Sequence, residues 1–314
     1  MKYIVLDLEW NQPAAKNKEV KDLPFEIIEI GAVKLDENFQ MLDRFQSIVR
    51  PVVYPQLNHI SSQITGFTTP QLQYGPRFPK VYEAFQKWCG TEDFYFCTWG
   101  CSDLTELQRN MKHYDIPLLP RPVLYYDLQE VFGILNQDEA HRRSLEYAVE
   151  FYRIKKKKNF HRALSDAYYT ALAMVEMEPE QVRPLLSIDT YQPPLSREEE
   201  VTLTYGNYSR YVSRIFPNRF IAQKDSGVLS VKCCVCEKKM QKEFDWFNDN
   251  NKNLFCLASC PEHGLQSAKI RFKHTGDDHV FALKDIRLAD DDTASHLRKK
   301  QQAVQEKENT ESSH

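Results

Sequence analysis

Tyr3-Ile-Val-Leu-Asp-Leu-Glu-Trp10 reads as a buried central strand that ends in two acids. The β-branched and apolar run from Tyr3 to Leu8 is typical of such a strand. Successive side chains of a strand point to opposite faces, so Asp7 and Glu9 project together from one face. Two neighbouring carboxylates repel each other and are costly to bury without a partner. A bound Mg²⁺ or Mn²⁺ would resolve both problems, and a solvated pair of acids is the alternative.

The region up to residue 180 continues this strand into a sheet. Residues 26–35 alternate as a second strand, and a turn at 36–38 leads to a third, which together predict an antiparallel meander. Short apolar strands at 94–99 and 122–127 then alternate with segments of helical spacing. The expected fold class is α/β, with a mixed five-stranded sheet flanked by helices.

Composition limits the cell compartment more than it limits the function. The chain has 314 residues, 42% hydrophobic and 27% charged, as an ordinary globular protein has. We find no secretory leader and no apolar run near the ~20 residues that a bilayer requires, so we expect an intracellular, cytoplasmic protein. The eight cysteines are then thiols or metal ligands. A net charge of −3 decides nothing about nucleic acid, because the distribution of charge matters.

A second, smaller domain follows the first. Prolines at 179, 184, 193 and 194 and the acids at 198–200 predict a linker over residues 181–200. Residues 201–289 are expected to form a β-rich zinc-binding domain, and residues 290–314 a polar tail that is disordered or a frayed helix.

Two further acids lie at the ends of predicted elements in the first domain. Asp103 follows the strand at 94–99 and Asp166 opens the last helix, with His161 five residues before it. Taken alone, Asp103 suits a helix N-cap and His161 suits an exposed loop. Together with Asp7 and Glu9 they form a set of four acids and one imidazole.

This set resembles the three-motif signature of the DEDDh 3′–5′ exonucleases. The matching motifs are Asp7-x-Glu9, Trp99-Gly-x-x-Asp103 and His161-x4-Asp166, and the resemblance covers roughly residues 1–180. It is strongest to the RNA-trimming branch, and it implies an RNase H-like fold. Residues 57–66 also resemble the family segment that lies beside the active-site groove.

The resemblance implies a role for each residue. Asp7 would bridge two Mg²⁺ or Mn²⁺ ions, which supply a nucleophile and relieve charge on the attacking and leaving oxygens. Glu9 and Asp166 would complete the site that holds the nucleophilic water, and Asp103 would support the second ion. His161 would be the general base, since an imidazole suits proton removal at neutral pH.

Substrate contacts are expected near this set. The run Lys155 to Lys158 precedes His161, and Lys156 and Lys157 are candidates for phosphate contacts, with a solvated loop as the alternative. Trp10 and Phe67 are candidates for stacking on terminal bases, although core packing explains an aromatic equally well.

The cysteines beyond residue 230 have the spacing of a tetrahedral zinc ribbon. Cys233-Cys-Val-Cys236 is separated by 19 residues from Cys256, which is followed by Cys260 and His263. Cys233 and Cys236 are the expected first pair, with Cys234 as a possible substitute. We expect Cys256 and Cys260 as the second pair, with His263 as the alternative ligand. Four protein ligands close a zinc site, so this ion would be structural.

The segment 205–242 suggests that the second domain binds nucleic acid. It carries eight Lys/Arg against two acids, interleaved with aromatic residues, which suits a single strand or, equally, a small packed core. The sequence thus predicts a metal-dependent exonuclease that releases nucleoside monophosphates from single-stranded 3′ ends, RNA more than DNA. A binding protein on an exonuclease scaffold is the competing hypothesis.

Overall fold

The computed structural model describes residues 1–138, 141–156, 160–249, 252–275 and 278–311. The chain divides into two compact units, Met1–Tyr191 and Gln192–His314. Within the described ranges, no helix is long and apolar enough to cross a membrane.

The first unit contains a six-stranded mixed sheet with strand order β3-β2-β1-β4-β5-β6. Strands β1, β2 and β3 are antiparallel neighbours, β4 and β5 continue the sheet in parallel from β1, and β6 is an antiparallel edge strand. The strands are β1 (Lys2–Asn11), β2 (Glu26–Leu35), β3 (Met41–Ile48), β4 (Phe94–Thr98), β5 (Leu124–Asp127) and β6 (Ser187–Ile188). The mixed α/β prediction is confirmed, and β6 is a sixth strand that periodicity did not show.

Besides a 3₁₀ helix at Lys16–Lys18, this unit has eight α-helices within the described ranges. They are α1 (His59–Thr65), α2 (Thr69–Leu72), α3 (Phe78–Cys89), α4 (Ser102–His113), α5 (Leu128–Leu135), α6 (Leu145–Phe151), α7 (Ala163–Val175) and α8 (Pro179–Val182). Helix α3 shows why the spacing was informative, because Phe78, Val81, Tyr82 and Phe85 are all buried on one side.

The two faces of β1 have different partners. Ile4, Leu6 and Leu8 point to one face and belong to the main core with residues of α3 and α4. On the other face α7 comes against β2 at Gly31, where an added Cβ would lie 2.1 Å from the backbone of Ala163. Only a glycine allows this approach, which brings the start of α7 next to Asp7, the residue paired with Gly31.

The expected linker over 181–200 is partly structured. Leu124 and Tyr125 of β5 pair with Ile188 and Ser187, so the chain adds an edge strand before it leaves the first unit. The division between the units therefore lies after Tyr191. A two-residue strand has no period for a sequence pattern to display.

The second unit contains a six-stranded sheet with order β7-β8-β12-β11-β10-β9, antiparallel throughout. Its elements are β7 (Val201–Thr204), β8 (Tyr208–Val212), α9 (Arg219–Ala222), α10 (Ser226–Leu229), β9 (Gln241–Asp249), β10 (Asn253–Cys260), β11 (Gly264–His274), β12 (Val280–Leu288) and α11 (Asp291–Glu311). The β-rich prediction is confirmed. The expected polar tail forms α11, because Ala294 and Leu297 pack against Leu257.

Candidate active site and metal centres

Three carboxylates meet at the carboxyl end of β1. Asp7 and Glu9 lie on the face that α7 covers, and Asp166 is the fourth residue of α7. One oxygen from each of the three acids lies within 4.8 Å of the others. The pairing of β1 with β2 becomes irregular between Glu9 and Trp10, a feature found often beside active sites. We call Asp7, Glu9 and Asp166 the acidic cluster.

The acidic cluster is electrostatically unfavourable without a cation. Burial, and then the charges of Asp103, Asp166, Glu9 and Glu29, hold the pKa of Asp7 well above its usual range. Burial and the charge of Asp166 raise the pKa of Glu9 to about 8. Asp166 Oδ1 is buried and has no hydrogen-bond partner, although buried polar atoms normally have one. Clustered carboxylates with an unused oxygen fit a hard divalent cation.

Asp103 lies beside the cluster and outside its set of three. Strand β4 pairs with β1 only as far as Val5, so the backbone N–H of Leu8 lies beyond the last paired residue. That N–H donates to Asp103 Oδ1 at 3.0 Å, which fixes the first turn of α4 against the end of β1. Burial raises the pKa of Asp103 to about 7, and its charge is felt at Asp7.

A hydrogen bond fixes the backbone of His161, and the residue is exposed to solvent. Its φ of +65° is left-handed, and its N–H donates to Asp166 Oδ2 at 2.8 Å. This bond opposes the effect of burial on Asp166, whose pKa is nonetheless raised to about 6. Asp166 thus has one oxygen that orients the His161 backbone and one that is unused.

Glu29 supports the acidic cluster, and the sequence analysis did not identify it. It is fully buried on β2 opposite Glu9, where it accepts two hydrogen bonds from the Arg162 guanidinium at 2.8 and 3.0 Å. It also accepts one from the backbone N–H of Ala163, the first residue of α7, and one from Gln46. Glu29 therefore fastens the start of α7, between His161 and Asp166. A charge inside the apolar alternation of β2 was the available signal.

Phe67 and Trp10, the two residues predicted to stack on bases, pack against other side chains of the protein. Phe67 is 6% exposed, packs with Ile28 and Leu72, and has the Arg162 guanidinium 4.3 Å over its ring. Trp10 is partly buried against the main core and packs on Phe25. Packing against neighbours on β2 and α2 therefore accounts for Phe67, and stacking of Phe67 or Trp10 on a base stays a prediction.

The lysine run is only partly described. Lys156 forms an exposed ion pair with Glu150 at 2.6 Å, and its ammonium lies 5.7 Å from the Phe160 ring centroid. Lys157 lies outside the described residues. Phosphate contacts by this run therefore stay a prediction.

Four side chains of the second unit form a metal-type cluster: Cys233, Cys236, Cys260 and His263. His263 Nδ1 lies 3.6 Å from the sulfurs of both Cys233 and Cys260, and the sulfurs of Cys236 and Cys260 are 3.7 Å apart. Ligands bound to zinc at about 2.3 Å in a tetrahedron are separated by about 3.8 Å. These separations fit a closed, four-ligand zinc site.

Cys256 does not belong to this cluster, which corrects the expected ligand set. It precedes Cys260 by four residues on β10, about 13 Å along a strand. Its thiol is buried and donates to the Phe244 carbonyl. The turn after Cys260 brings back His263 instead, the alternative ligand. Cys234, the other possible substitute, directs its thiol to the Asn207 carbonyl.

The first ligand of the Cys/His cluster is prepared for ionisation. Burial opposes a thiolate at Cys233, but it is outweighed by hydrogen bonds from the backbone N–H groups of Cys236 and Val235 and from the Gln266 side chain, which together lower its pKa to about 6. The Gln266 amide nitrogen lies 2.9 Å from the Cys233 sulfur, and its oxygen accepts the backbone N–H of Cys234. Gln266 is fully buried, and the spacing of cysteines gave no sign of it.

The aromatic residues of segment 205–242 serve mainly as core. Tyr205, Tyr208 and Phe216 are each at most 5% exposed, whereas Phe220 is 64% exposed. This matches the packing alternative, so the segment does not present a continuous row of rings for stacking on bases.

Comparison with known proteins places the first unit in a family. The family model described as RNase_T exonuclease matches residues 4–174, more than half of the chain. The probable 3′–5′ exonuclease KapD of Bacillus subtilis (strain 168) is 28% identical over 114 residues, which are 36% of this chain and 55% of KapD. The aligned part thus spans about half the length of that curated relative.

Solved structures agree on the fold. The nuclease domain of 3′hExo, a DEDDh family member bound to rAMP, superposes with a TM-score of 0.52 at 21% identity, covering 60% of this chain and 96% of that domain. A full-length 3′-exonuclease gives a TM-score of 0.50 at 21% identity, with 60% and 84% covered. These likenesses support the fold of the first unit, and the residue roles rest on the geometry above.

Proposed function

The chain belongs to the RNase T exonuclease family, and on that premise we propose that its first unit is a DEDDh-type domain that hydrolyses nucleic acid from the 3′ end, one nucleotide at a time. The observation that carries this proposal is the acidic cluster with its buried, unpartnered Asp166 oxygen. We propose this activity for the full chain, although the family match covers only residues 4–174.

The donor set suits two Mg²⁺ or Mn²⁺ ions. Adjacent oxygens of Asp7, Glu9 and Asp166 would hold the ions. Asp103 lies close enough to Asp7 for its charge to raise the pKa of Asp7, and it would support the second ion. When bound, such ions supply Lewis-acid stabilisation to the attacking and leaving oxygens of a phosphodiester.

The residues of the chain position this chemistry. Glu29 and Arg162 fix the start of α7, so that Asp166 is presented to Asp7 and Glu9. The His161 N–H bond to Asp166 fixes the backbone from which the imidazole extends. We assign to a ring nitrogen of His161 the removal of a proton from the attacking water, because the residue is exposed beside the cluster.

The substrate is assigned from the sequence motifs. A single-stranded 3′ end as substrate, nucleoside monophosphates as products, and a preference for RNA over DNA rest on the resemblance of the motifs to the RNA-trimming branch. The Cys/His cluster would hold a structural Zn²⁺ that ties the turn between β10 and β11 to residues 233–236. We propose a cytoplasmic location, where thiolate ligands stay reduced.

Polarity and chemistry are tested together with a single-stranded RNA and a DNA of one sequence, labelled at the 3′ end. The proposal predicts that the first turnover releases labelled mononucleotide in Mg²⁺ or Mn²⁺ and none in EDTA. Release of a labelled oligonucleotide, or cleavage that starts from the 5′ end, would contradict the proposed polarity. The faster of the two strands identifies the substrate class.

A further inference from the structure

A basic cavity lies in the second unit between the sheet and α11. It has a volume of about 320 Å³ and is lined by residues of β10, β11, β12 and α11. We call it the basic cleft and define it by Phe255, Lys269, Arg271, Asp285 and Arg287. It shares no residue with the Cys/His cluster, and the proposed reaction does not use it.

Strand register explains why the charges collect on one face. Lys269 of β11 is paired with Asp285 of β12, and Asp285 is paired with Arg210 of β8, so the three stand in a row across the sheet. Side chains two residues apart share a face, so Arg271 and Arg287 lie on the same face as this row, on either side of it. The intervening residues, among them Ala268 and Ile286, pack into the core that contains the Cys/His cluster.

The basic cleft has more positive than negative charge. Asp285 is its one carboxylate among the described lining residues, and it is shared by Arg210 at 2.9 Å and Arg271 at 2.7 Å. One negative charge therefore faces two guanidinium groups, and Lys269 and Arg287 add two further cations. Arg271 Nε is buried without a hydrogen-bond acceptor. Buried donors are normally paired, so the cleft is suited to an added anion.

An aromatic ring forms part of the wall. The Lys269 ammonium is 5.6 Å and the Lys300 ammonium 5.2 Å from the centroid of Phe255, one approaching from the sheet and one from α11. Cations spread from β8 to β11 cover two strand spacings, about 10 Å, which is wider than a single phosphate. An extended polyanion fits this row better than an isolated anion.

We infer that the basic cleft binds the phosphodiester backbone of a single nucleic-acid strand. This inference rests on the proposed function for the choice of a nucleic acid over other polyanions. Lysine and arginine neutralise phosphates without reading sequence, so the cleft would give affinity and leave the sequence unselected.

The test measures binding of a fluorescent single-stranded oligonucleotide by anisotropy, with the full chain carrying Asp7→Asn to prevent its hydrolysis. Lys269→Gln and Arg287→Gln are compared with Lys80→Gln, which replaces an exposed lysine of α3 in the first unit. One lost phosphate contact weakens binding by roughly tenfold near 0.1 M salt and lowers the slope of log K against log salt by about 1. We expect this for both cleft variants and an unchanged Kd for the control, with unfolding temperatures checked for all three.

Equal affinities for the cleft variants and the control would overturn the inference, and so would competition by poly-glutamate as strong as by unlabelled oligonucleotide. Hydrolysis by the chain with Asp7 intact is measured separately, with and without Lys269→Gln. If the chain binds strands through the cleft but hydrolyses none, the proposed function fails and the cleft assignment stands. If it hydrolyses them and binding ignores the cleft, the reverse holds.

Discussion

The acidic cluster of the first unit and the Cys/His cluster of the second both contain metal-type ligands. Folding has opposite effects on the ionisation of Asp7 and Glu9 in the first and of Cys233 in the second. Around the acids, burial and like charge raise the pKa values of Asp7 and Glu9. Around the thiols, hydrogen bonds from two backbone N–H groups and Gln266 lower the pKa of Cys233 despite burial. Folding therefore disfavours the charged state of these acids and favours the thiolate of Cys233. Cys236 shows the opposite shift, because a backbone hydrogen bond from Lys238 is outweighed by burial and by the neighbouring Cys233 and Cys260, which raise its pKa.

The two clusters also differ in the number of ligand atoms that they supply. The Cys/His cluster supplies four atoms at tetrahedral separations, which leaves no position for a substrate. The acidic cluster supplies one oxygen from each of three acids, and Asp166 Oδ1 lacks a hydrogen-bond partner. An incomplete oxygen set is what a catalytic centre requires, whereas a complete sulfur and nitrogen set stabilises a fold.

Replacing His161 tests whether the first cluster is catalytic. His161→Ala should lower kcat for hydrolysis by about 10²- to 10⁴-fold, the usual contribution of a general base. Strand affinity should change little, since the His161 backbone bond to Asp166 remains available. Measured kcat and Kd separate the two effects, and a variant with near-normal kcat would remove His161 from the mechanism.

Replacing Glu29 tests how the first cluster is built. Glu29→Gln weakens the bonds that fix the start of α7, and it should lower activity by about 10- to 100-fold, as outer-sphere partners of metal ligands do. The matched control is Glu180→Gln, which removes an exposed ion pair with Arg183. A shift in the Mg²⁺ concentration needed for half-maximal activity would show that Glu29 acts by positioning. A loss of stability with unchanged metal dependence would show a merely structural role.

Two cysteine variants distinguish the ligands of the second cluster. Cys260→Ala should lose one equivalent of zinc from the purified chain, whereas Cys256→Ala should retain it, although both thiols are buried on β10. Hydrolysis of a short strand should change far less than in His161→Ala. Loss of zinc from the Cys256 variant with retention in the Cys260 variant would restore the ligand set that spacing alone suggested.

The pH dependence of stability should reveal the strain in the first cluster. A carboxylate whose pKa is raised by folding stabilises the fold below its unfolded value, and this contribution is lost as pH rises through the folded value. With a folded pKa of about 6 for Asp166, about 7 for Asp103 and about 8 for Glu9, the unfolding temperature of the metal-free chain should fall as the pH rises from about 4 to about 8. Added Mg²⁺ should reduce the loss. A flat profile in metal-free buffer would contradict the raised pKa values.

Sequence patterns identified what depends on local periodicity. The strand 3–10 and the helix that carries Asp166 could be located because alternation and apolar spacing are local properties. The family model matches residues 4–174, a range that includes Asp7, Glu9 and Asp166. Glu29 was missed because its role depends on which residue faces it across the sheet. Cys256 was expected in place of His263 because the tight turn after Cys260, rather than the cysteine spacing, decides which side chain joins the Cys/His cluster. Residues 290–314 were expected to be a disordered tail or a frayed helix because, among the described side chains of α11, only Ala294 and Leu297 are buried apolar anchors.

The most direct measurement follows a 5′-labelled single-stranded RNA in Mg²⁺ with the wild-type chain, Asp7→Asn and the exposed control Asp93→Asn. If the acidic cluster is the active site, the wild type and the control produce a ladder that shortens by single nucleotides. Asp7→Asn should produce none while it still binds the strand and retains its zinc. A ladder from Asp7→Asn at a rate near that of the wild type would show that the reaction takes place elsewhere in the molecule.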